Sequence, residues 1–278
     1  MYSETLKWAA STITVKNFDL EGLKEIKDAG IDLIEISGGG LKRLTEQLNF
    51  IEDPSYTYEL CKKAGLEIFS LHLPFSKTFD LTNNIPEQRE YILKTQEGLI
   101  RSAAKIGIKM CVLHPSTDGF KDEERPEIQR LSLEGINRLQ AVAEEAGIVL
   151  CVENLPRTCL CYSSDEMIDM LKGTGVKIVF DMNHAPVEDD VTFIDKLTAA
   201  GLEIYSIHIS DYYGAEEKHN MPGIGTNKWR DIFDALERAD YKGPLMYEVS
   251  CHDRNDGIFY TAKDVAENMY KLSRGLIS

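Results

Sequence analysis

Two hydrophobic patterns alternate along the chain. Short, nearly continuous apolar runs recur: LKWAAS from Leu6, IDLIEIS from Ile31, LEIFSLHLP from Leu66, IKMCVLHP from Ile108, IVLCVENLP from Ile148, VKIVFDMNH from Val176, LEIYSIHIS from Leu202 and PLMYEVS from Pro244. Continuous runs of this kind mark strands buried on both faces. Between them lie stripes at helical spacing. Leu23, Ile26 and Ala29 form the first, and Ile128, Leu131, Ile136, Leu139, Val142 and Ala146 a long one. Trp229, Ile232, Phe233 and Leu236 form another, and a last helix is predicted from about Ala262 to Leu272. Ser164, followed by Asp165 and Glu166, reads as the N-cap of a further helix.

Four of the runs follow a helix that ends on glycine. Ala-Gly-Ile stands at residues 29–31 and 146–148, and Ala-Gly-Leu at 64–66 and 200–202. Eight such units in 278 residues give about 35 residues each, the repeat of a (β/α)₈ barrel. A doubly wound open sheet is the alternative, but the stretch after the first run, WAASTITVKNF, is not the glycine-rich phosphate turn that fold usually carries. No linker, low-complexity tract or charge block divides the chain, so residues 1–278 are expected to form a single α/β TIM-barrel domain with its site at the C-terminal face of the strands. The longest loops are expected from about Gly38 to Pro54 and from about His208 to Asn227.

Composition narrows the function. The net charge is −15, from 31 Lys and Arg against 46 Asp and Glu, and such a surface repels a phosphate backbone. Nucleic acid is therefore not the expected partner. No apolar stretch reaches the roughly 18 residues that span a bilayer, and the N-terminus lacks a basic region followed by an apolar run. Six cysteines are too sparse for a disulfide scaffold, and a cytoplasmic location is expected. Association into a homo-oligomer is left open.

The chemistry collects where the runs end. The third run ends in His72, the fourth in His114, the fifth in Glu153 and the sixth in Asp181, with His184 just beyond. The seventh ends in His208, with His219 in its loop, and the eighth in Glu248, with His252 after it. All six histidines of the chain thus fall toward one face. If that face holds about a third of the residues, chance would place them so roughly once in a thousand sequences. Glu153, Asp181, His208 and Glu248 are the more telling group. Three carboxylates at the ends of apolar strands repel one another and are costly to desolvate, and a divalent cation would hold them ionised. Carboxylates with one imidazole suit Mn²⁺, Mg²⁺, Co²⁺ or Zn²⁺. Pairing with Arg or Lys is the plainer alternative, yet none of these four runs carries a basic residue at its C-terminal end.

Other positions have bland readings beside functional ones. Gly38-Gly39-Gly40 is a ligand-approach loop or a plain turn, and Glu35 touches ligand or merely alternates along its strand. Cys159-x-Cys161 is a weak metal motif, read as an ordinary loop. Trp8 stacks on a sugar or packs in the core, with core packing favoured. Arg157, Lys218 and Arg254 meet a phosphate or are solvated charges.

The motifs LHLP with His72, LHP with His114, VENLP with Glu153, FDMNH with Asp181 and His184, IHISD with His208, HNMPGIG with His219 and PLMYEV with Glu248 together resemble the xylose isomerase-like barrel superfamily. That group comprises sugar phosphate isomerases and epimerases and also includes the endonuclease IV-type enzymes. The resemblance covers nearly the whole chain. It implies that Glu153, Asp181, His208 and Glu248 hold one divalent metal ion. It also implies that Glu153 and Glu248 are the acid/base pair and that His184 contacts substrate oxygens. His219 is expected to bind substrate oxygens as well, with His72 and His114 lining the pocket. The implied activity is isomerisation or epimerisation of a small sugar, sugar phosphate or related keto-polyol, by proton transfer through a metal-stabilised enediolate. A cyclic-polyol dehydratase is a near neighbour. The ketose epimerases usually carry another acid several positions after VEN, where this chain has LPRTCLCY. The endonuclease IV-like relatives imply instead a three-zinc phosphodiesterase, with His72, His114, His184 and His219 as further ligands. Their Asp-x-His is Glu217-Lys218-His219 here.

Overall fold

The computed structural model describes residues 6–37, 44–185, 187–213, 216–252 and 258–277. Every predicted run becomes a strand: β1 (Trp8–Ser11), β2 (Leu33–Ile36), β3 (Glu67–His72), β4 (Met110–Leu113), β5 (Val149–Glu153), β6 (Lys177–Asp181), β7 (Ile204–Ile209) and, after a short hairpin of β8 (Asp211–Tyr213) and β9 (Glu216–Asn220), β10 (Leu245–Tyr247). The eight long-run strands pair in parallel and close into a barrel in the order β1-β10-β7-β6-β5-β4-β3-β2. The chain is a (β/α)₈ TIM barrel, as its repeat predicts.

Helices alternate with the strands: α1 (Leu20–Asp28), α2 (Leu44–Glu52), α3 (Ser55–Ala64), α4 (Pro86–Lys105), α5 (Arg125–Ala146), α6 (Ser164–Leu171), α7 (Asp190–Ala199), α8 (Trp229–Arg238) and α9 (Ala262–Ser273). Local chemistry sets their ends. Pro86 and Pro126 occupy first-turn positions, where the missing N–H costs nothing. Gly147 closes α5 at φ 72°, in the left-handed region. The long helix starts at Arg125, and its predicted apolar stripe faces the barrel. One cap differs from expectation by a residue: Ser163, not Ser164, is the N-cap of α6, accepting from the Glu166 amide at 3.3 Å.

The expected loop from Gly38 to Pro54 is only partly a loop, because α2 begins at Leu44. Phe50 is buried, and Ser102 donates to the Ile51 carbonyl at 3.0 Å. At Gly98 of α4 even a Cβ would crowd Ile51 at 3.1 Å, so α2 docks there closely. The other long stretch, His208–Asn227, carries the β8–β9 hairpin.

Inside the barrel, alternation within each strand decides what faces the axis. Met110, Val112, Cys151 and Val179 make one interior cluster, and Ala9, Leu33 and Met246 another, both separate from the large core between strands and helices. Phe69 joins these two clusters near the N-terminal ends of the strands.

Candidate metal and catalytic site

The same alternation builds the site. Two residues beyond Cys151, Val179 and Met246 come Glu153, Asp181 and Glu248. Each acid therefore stands on the inward face, one step nearer the C-terminal end than an apolar interior residue. His72 closes β3, and His208 sits one residue before the end of β7. His114 and Glu248 lie one residue beyond β4 and β10. Glu153, Asp181 and His208 are fully buried, and Glu248 is 7% exposed.

His208 Nδ1 is the focus of this group. It lies 2.9 Å from Glu153 Oε1, 2.8 Å from Glu248 Oε2 and 3.7 Å from Asp181 Oδ2. One donor atom from each of Glu153, Asp181, His208 and Glu248 falls within 4.8 Å of the others. Asp181 Oδ2 has no hydrogen-bond partner, while Oδ1 accepts from the Asn183 amide at 2.5 Å. Asn154 fixes the backbone there from both sides. Its amide donates to the Asp181 carbonyl at 2.9 Å and accepts from the Asp181 N–H at 2.7 Å. An orphaned carboxylate oxygen beside two further buried carboxylates and an imidazole fits a divalent cation, because such a charge would offset burying the acids together.

A second group forms around the other oxygen of Glu153. His72 Nε2 is 3.2 Å and His114 Nε2 3.0 Å from Glu153 Oε2. Burial would raise the Glu153 pKa, but the charge of His208 and the hydrogen bonds from His114 and His208 outweigh it and hold the carboxyl well below its usual range. Burial opposes ionisation of Glu248 too, and the adjacent His208 brings it down to about 2. His72 and His114 move in opposite directions. Burial lowers both; at His72 the pull of Glu153, with Glu35 and Glu248, wins and raises it to about 9. At His114 burial prevails over Glu153, aided by the like charges of His72 and His184. Two imidazoles thus share one carboxylate oxygen, and only His72, which also feels Glu35 and Glu248, is shifted upward.

Phe75 stacks on His114 with ring centroids 4.1 Å apart and a tilt of 21°, and lies 4.9 Å from His72. It is 49% exposed, so its outer face is open to whatever enters. The sequence reading did not pick it out, although it follows LHLP directly.

On the far side, Asp181, His184 and His219 bring donor atoms together in a third group. His184 Nδ1 lies 3.0 Å from the Asn154 carbonyl and 3.5 Å from Asp181 Oδ2. His219 sits on β9 at φ 44°, with Nδ1 3.2 Å from the Glu248 carbonyl and 3.3 Å from Ser210 Oγ. Asp211 holds the hairpin and the following turn in place. Its carboxylate accepts from the amides of Tyr212 (2.9 Å), Gly223 (2.7 Å) and Asn227 (3.1 Å), and from Trp229 Nε1 (3.3 Å). At Gly225 a Cβ would lie 2.1 Å from the Tyr212 carbonyl and 2.3 Å from Asp211 Oδ1, so HNMPGIG needs glycine there.

His252 lies in the loop after β10 and contacts the Thr14 carbonyl at 3.1 Å, apart from the cluster formed by the other five histidines. Trp8 opens β1, at the strand end away from the acids, is partly buried, and meets Tyr247 edge-on at 5.9 Å, so it packs against the core. Cys159 and Cys161 are buried thiols, and burial pushes the Cys161 thiol up. Arg157 pairs with Asp118 at 2.8 Å. Glu35 is buried inside the barrel beneath the acids. Gly38–Gly40, Arg254 and the side chain of Glu217 lie outside the described residues.

A closed β/α barrel with carboxylates and imidazoles gathered at its C-terminal mouth defines a class of barrel proteins built around that mouth. Residues 23–272 match the xylose isomerase-like TIM barrel family, and the chain belongs to it. Two epimerase relatives span most of its length. A 3-dehydro-D-guloside 4-epimerase of Escherichia coli K12 is 26% identical over 82% of this chain and 86% of its own. A D-psicose 3-epimerase of Enterocloster bolteae is 22% identical over 81% and 75%. Among solved structures, a D-psicose 3-epimerase of Clostridium cellulolyticum H10 superposes with a TM-score of 0.78 at 17% identity, covering 98% of this chain and all of that one, a likeness of fold.

Proposed function

We propose that the chain is a divalent-metal-dependent isomerase or epimerase of a small sugar or related keto-polyol, acting as one domain in the cytoplasm. The observation that carries this reading is the convergence of Glu153 and Glu248 on one imidazole nitrogen, at 2.9 and 2.8 Å. Their strands, β5 and β10, are separated by β6 and β7 in the barrel wall, so the two carboxylates reach the centre from different sides. That is the disposition needed to take a proton from one face of a carbon and return it to the other. The epimerase relatives support the same substrate class.

Glu153, Asp181, His208 and Glu248 would hold the cation, which when bound would supply the charge that favours proton loss beside a sugar carbonyl. Glu153 is ionised at neutral pH by its imidazole neighbours and is the proton acceptor. Its Oε2 is oriented by His72 and His114, which here take the supporting place of the acid missing after VEN. Glu248 serves the opposite face. His184 and His219 line the side nearest Asp181, where they bind substrate hydroxyls. Phe75 offers a flat apolar face for the C–H side of a sugar. Six cysteines buried as thiols fit a reducing compartment.

A second reading is favoured by one observation: His72 with His114 and Glu153, and Asp181 with His184 and His219, are further donor groups that could each hold an ion. Three zinc ions would make the site a phosphodiesterase centre. Metal analysis of protein purified without chelator separates the two. About one divalent ion per chain, with activity on a ketose panel, is the expected result. Three zinc ions, with cleavage of a duplex bearing an abasic site, would overturn it.

A further inference from the structure

Glu35 is the buried acid that the chemistry above does not use. It projects from β2 into the barrel, is fully buried, and faces His208 across the interior. Its two oxygens have different surroundings. Oε2 accepts from Ser70 Oγ at 2.8 Å, which fixes the carboxylate from the neighbouring strand β3. Oε1 has no hydrogen-bond partner and stands 3.2 Å from His208 Nε2, which has none either. No lysine or arginine among the described residues pairs with Glu35.

The two nitrogens of His208 therefore look in opposite directions. Nδ1 faces Glu153, Asp181 and Glu248, while Nε2 faces Glu35. A neutral imidazole carries its proton on one nitrogen only, and the group facing the other side selects which. A cation held among the three acids would require the Nδ1 lone pair, and Glu35, a carboxylate that can only accept, then favours the remaining proton on Nε2. Orienting partners of this kind are a general feature of histidines that bind metals. We propose that Glu35 is a positioning residue that fixes the tautomer and ring orientation of His208, with Ser70 holding Glu35 in place. This inference rests on reading the Glu153, Asp181, His208 and Glu248 group as a cation site.

The test is a titration of chelator-treated protein with Co²⁺, read by the visible d–d bands and by competition for affinity, in wild type, Glu35→Gln and Ser70→Ala. Glutamine keeps the shape of the side chain. With its oxygen turned to Ser70, its amide N–H points at His208 Nε2 and favours the wrong tautomer. Glu35→Gln is expected to bind Co²⁺ about 10- to 100-fold more weakly with shifted bands, and Ser70→Ala to show a smaller change in the same direction. The circular dichroism of both metal-free variants should match wild type. Wild-type binding with an unchanged Glu35→Gln affinity and spectrum would overturn the role of Glu35 alone. Failure of wild type to bind Co²⁺ would overturn the cation site and this inference with it. Long-range ¹H–¹⁵N spectra of the Zn²⁺-loaded wild type give a direct reading without any variant: a proton on His208 Nε2 is expected, and one on Nδ1 would refute the proposal.

Discussion

Glu153 has both carboxylate oxygens engaged by imidazoles, one by His208 and the other by His72 and His114. A group held in this way is ionised and oriented, as the proposed base must be. Glu153→Gln and Glu248→Gln should each lower turnover by about 10²- to 10⁴-fold while the fold is kept, checked by steady-state kinetics beside circular dichroism. Activity within a few-fold of wild type would remove that residue from proton transfer. Phe75 has a different role, and because half of it is exposed its removal should hardly alter stability. Phe75→Ala is expected to raise KM several-fold with little change in kcat, since stacking on a sugar adds binding rather than chemistry. Glu153, Asp181, His208, Glu248, His72 and His114 could be picked out in the sequence because each stands at the end of an apolar run, and a strand end in a barrel has one place to go, whereas His184 and His219 stood out only through their motifs. Phe75, Asn154 and Ser210 were not. Their positions depend on how loops fold back over the mouth, which no periodicity encodes. Glu35 was legible as a strand residue but not as the partner of His208, because that contact crosses the barrel.

Among the elements, the β8–β9 hairpin shows where sequence patterning ends. Its strands, DYY and EEKHN, have neither an apolar run nor clean alternation, so only a long loop could be expected there. Its fold instead depends on the four donors that converge on Asp211. Asp211→Ala would leave three backbone amides and an indole N–H buried without their acceptor, at a cost of about 1–3 kcal/mol for each that water cannot reach. Gly225→Ala would force a methyl group against a carbonyl and that same carboxylate, costing about 1–3 kcal/mol. Both variants should melt at lower temperature in calorimetry and lose activity through displacement of His219. Unchanged melting in both would show that the hairpin does not depend on Asp211. Helix α2 escaped the pattern for a related reason. Its apolar face is short, and it forms because Phe50 and Ile51 find the groove over Gly98.

Across the whole molecule, the buried titrating groups predict how the metal-free protein responds to pH. The His72 pKa is raised from 6.5 to about 9 by Glu153, Glu35 and Glu248 against the opposing effect of burial. Its contribution to stability is complete below pH 6.5 and is lost as pH rises through 9. Burial lowers His114 below 6.5, so its contribution is lost as pH falls under that value. Glu248, brought from 4.5 to about 2, loses its contribution as pH falls below 4.5. Chelator-treated protein should therefore melt highest near pH 6–7 and lower at pH 5 and pH 9, measured by calorimetry across buffers. A melting temperature that keeps rising to pH 9 would contradict the assignment of His72. The repeat of eight apolar runs made the barrel legible at this scale, and the −15 net charge is in keeping with the proposed cation site and sugar substrate.

In the proposed reaction Glu153 and Glu248 move a proton at a carbon beside a sugar carbonyl. The most direct measurement is solvent isotope exchange. Protein loaded with Mn²⁺ or Co²⁺ would be incubated in D₂O with a panel of ketohexoses and keto-glycosides and followed by NMR. Deuterium should enter a carbon next to the carbonyl of at least one sugar, with the epimer or isomer appearing alongside, and incorporation should be lost in Glu153→Gln. Protein that binds the metal yet incorporates no deuterium into any member of the panel would contradict the claim.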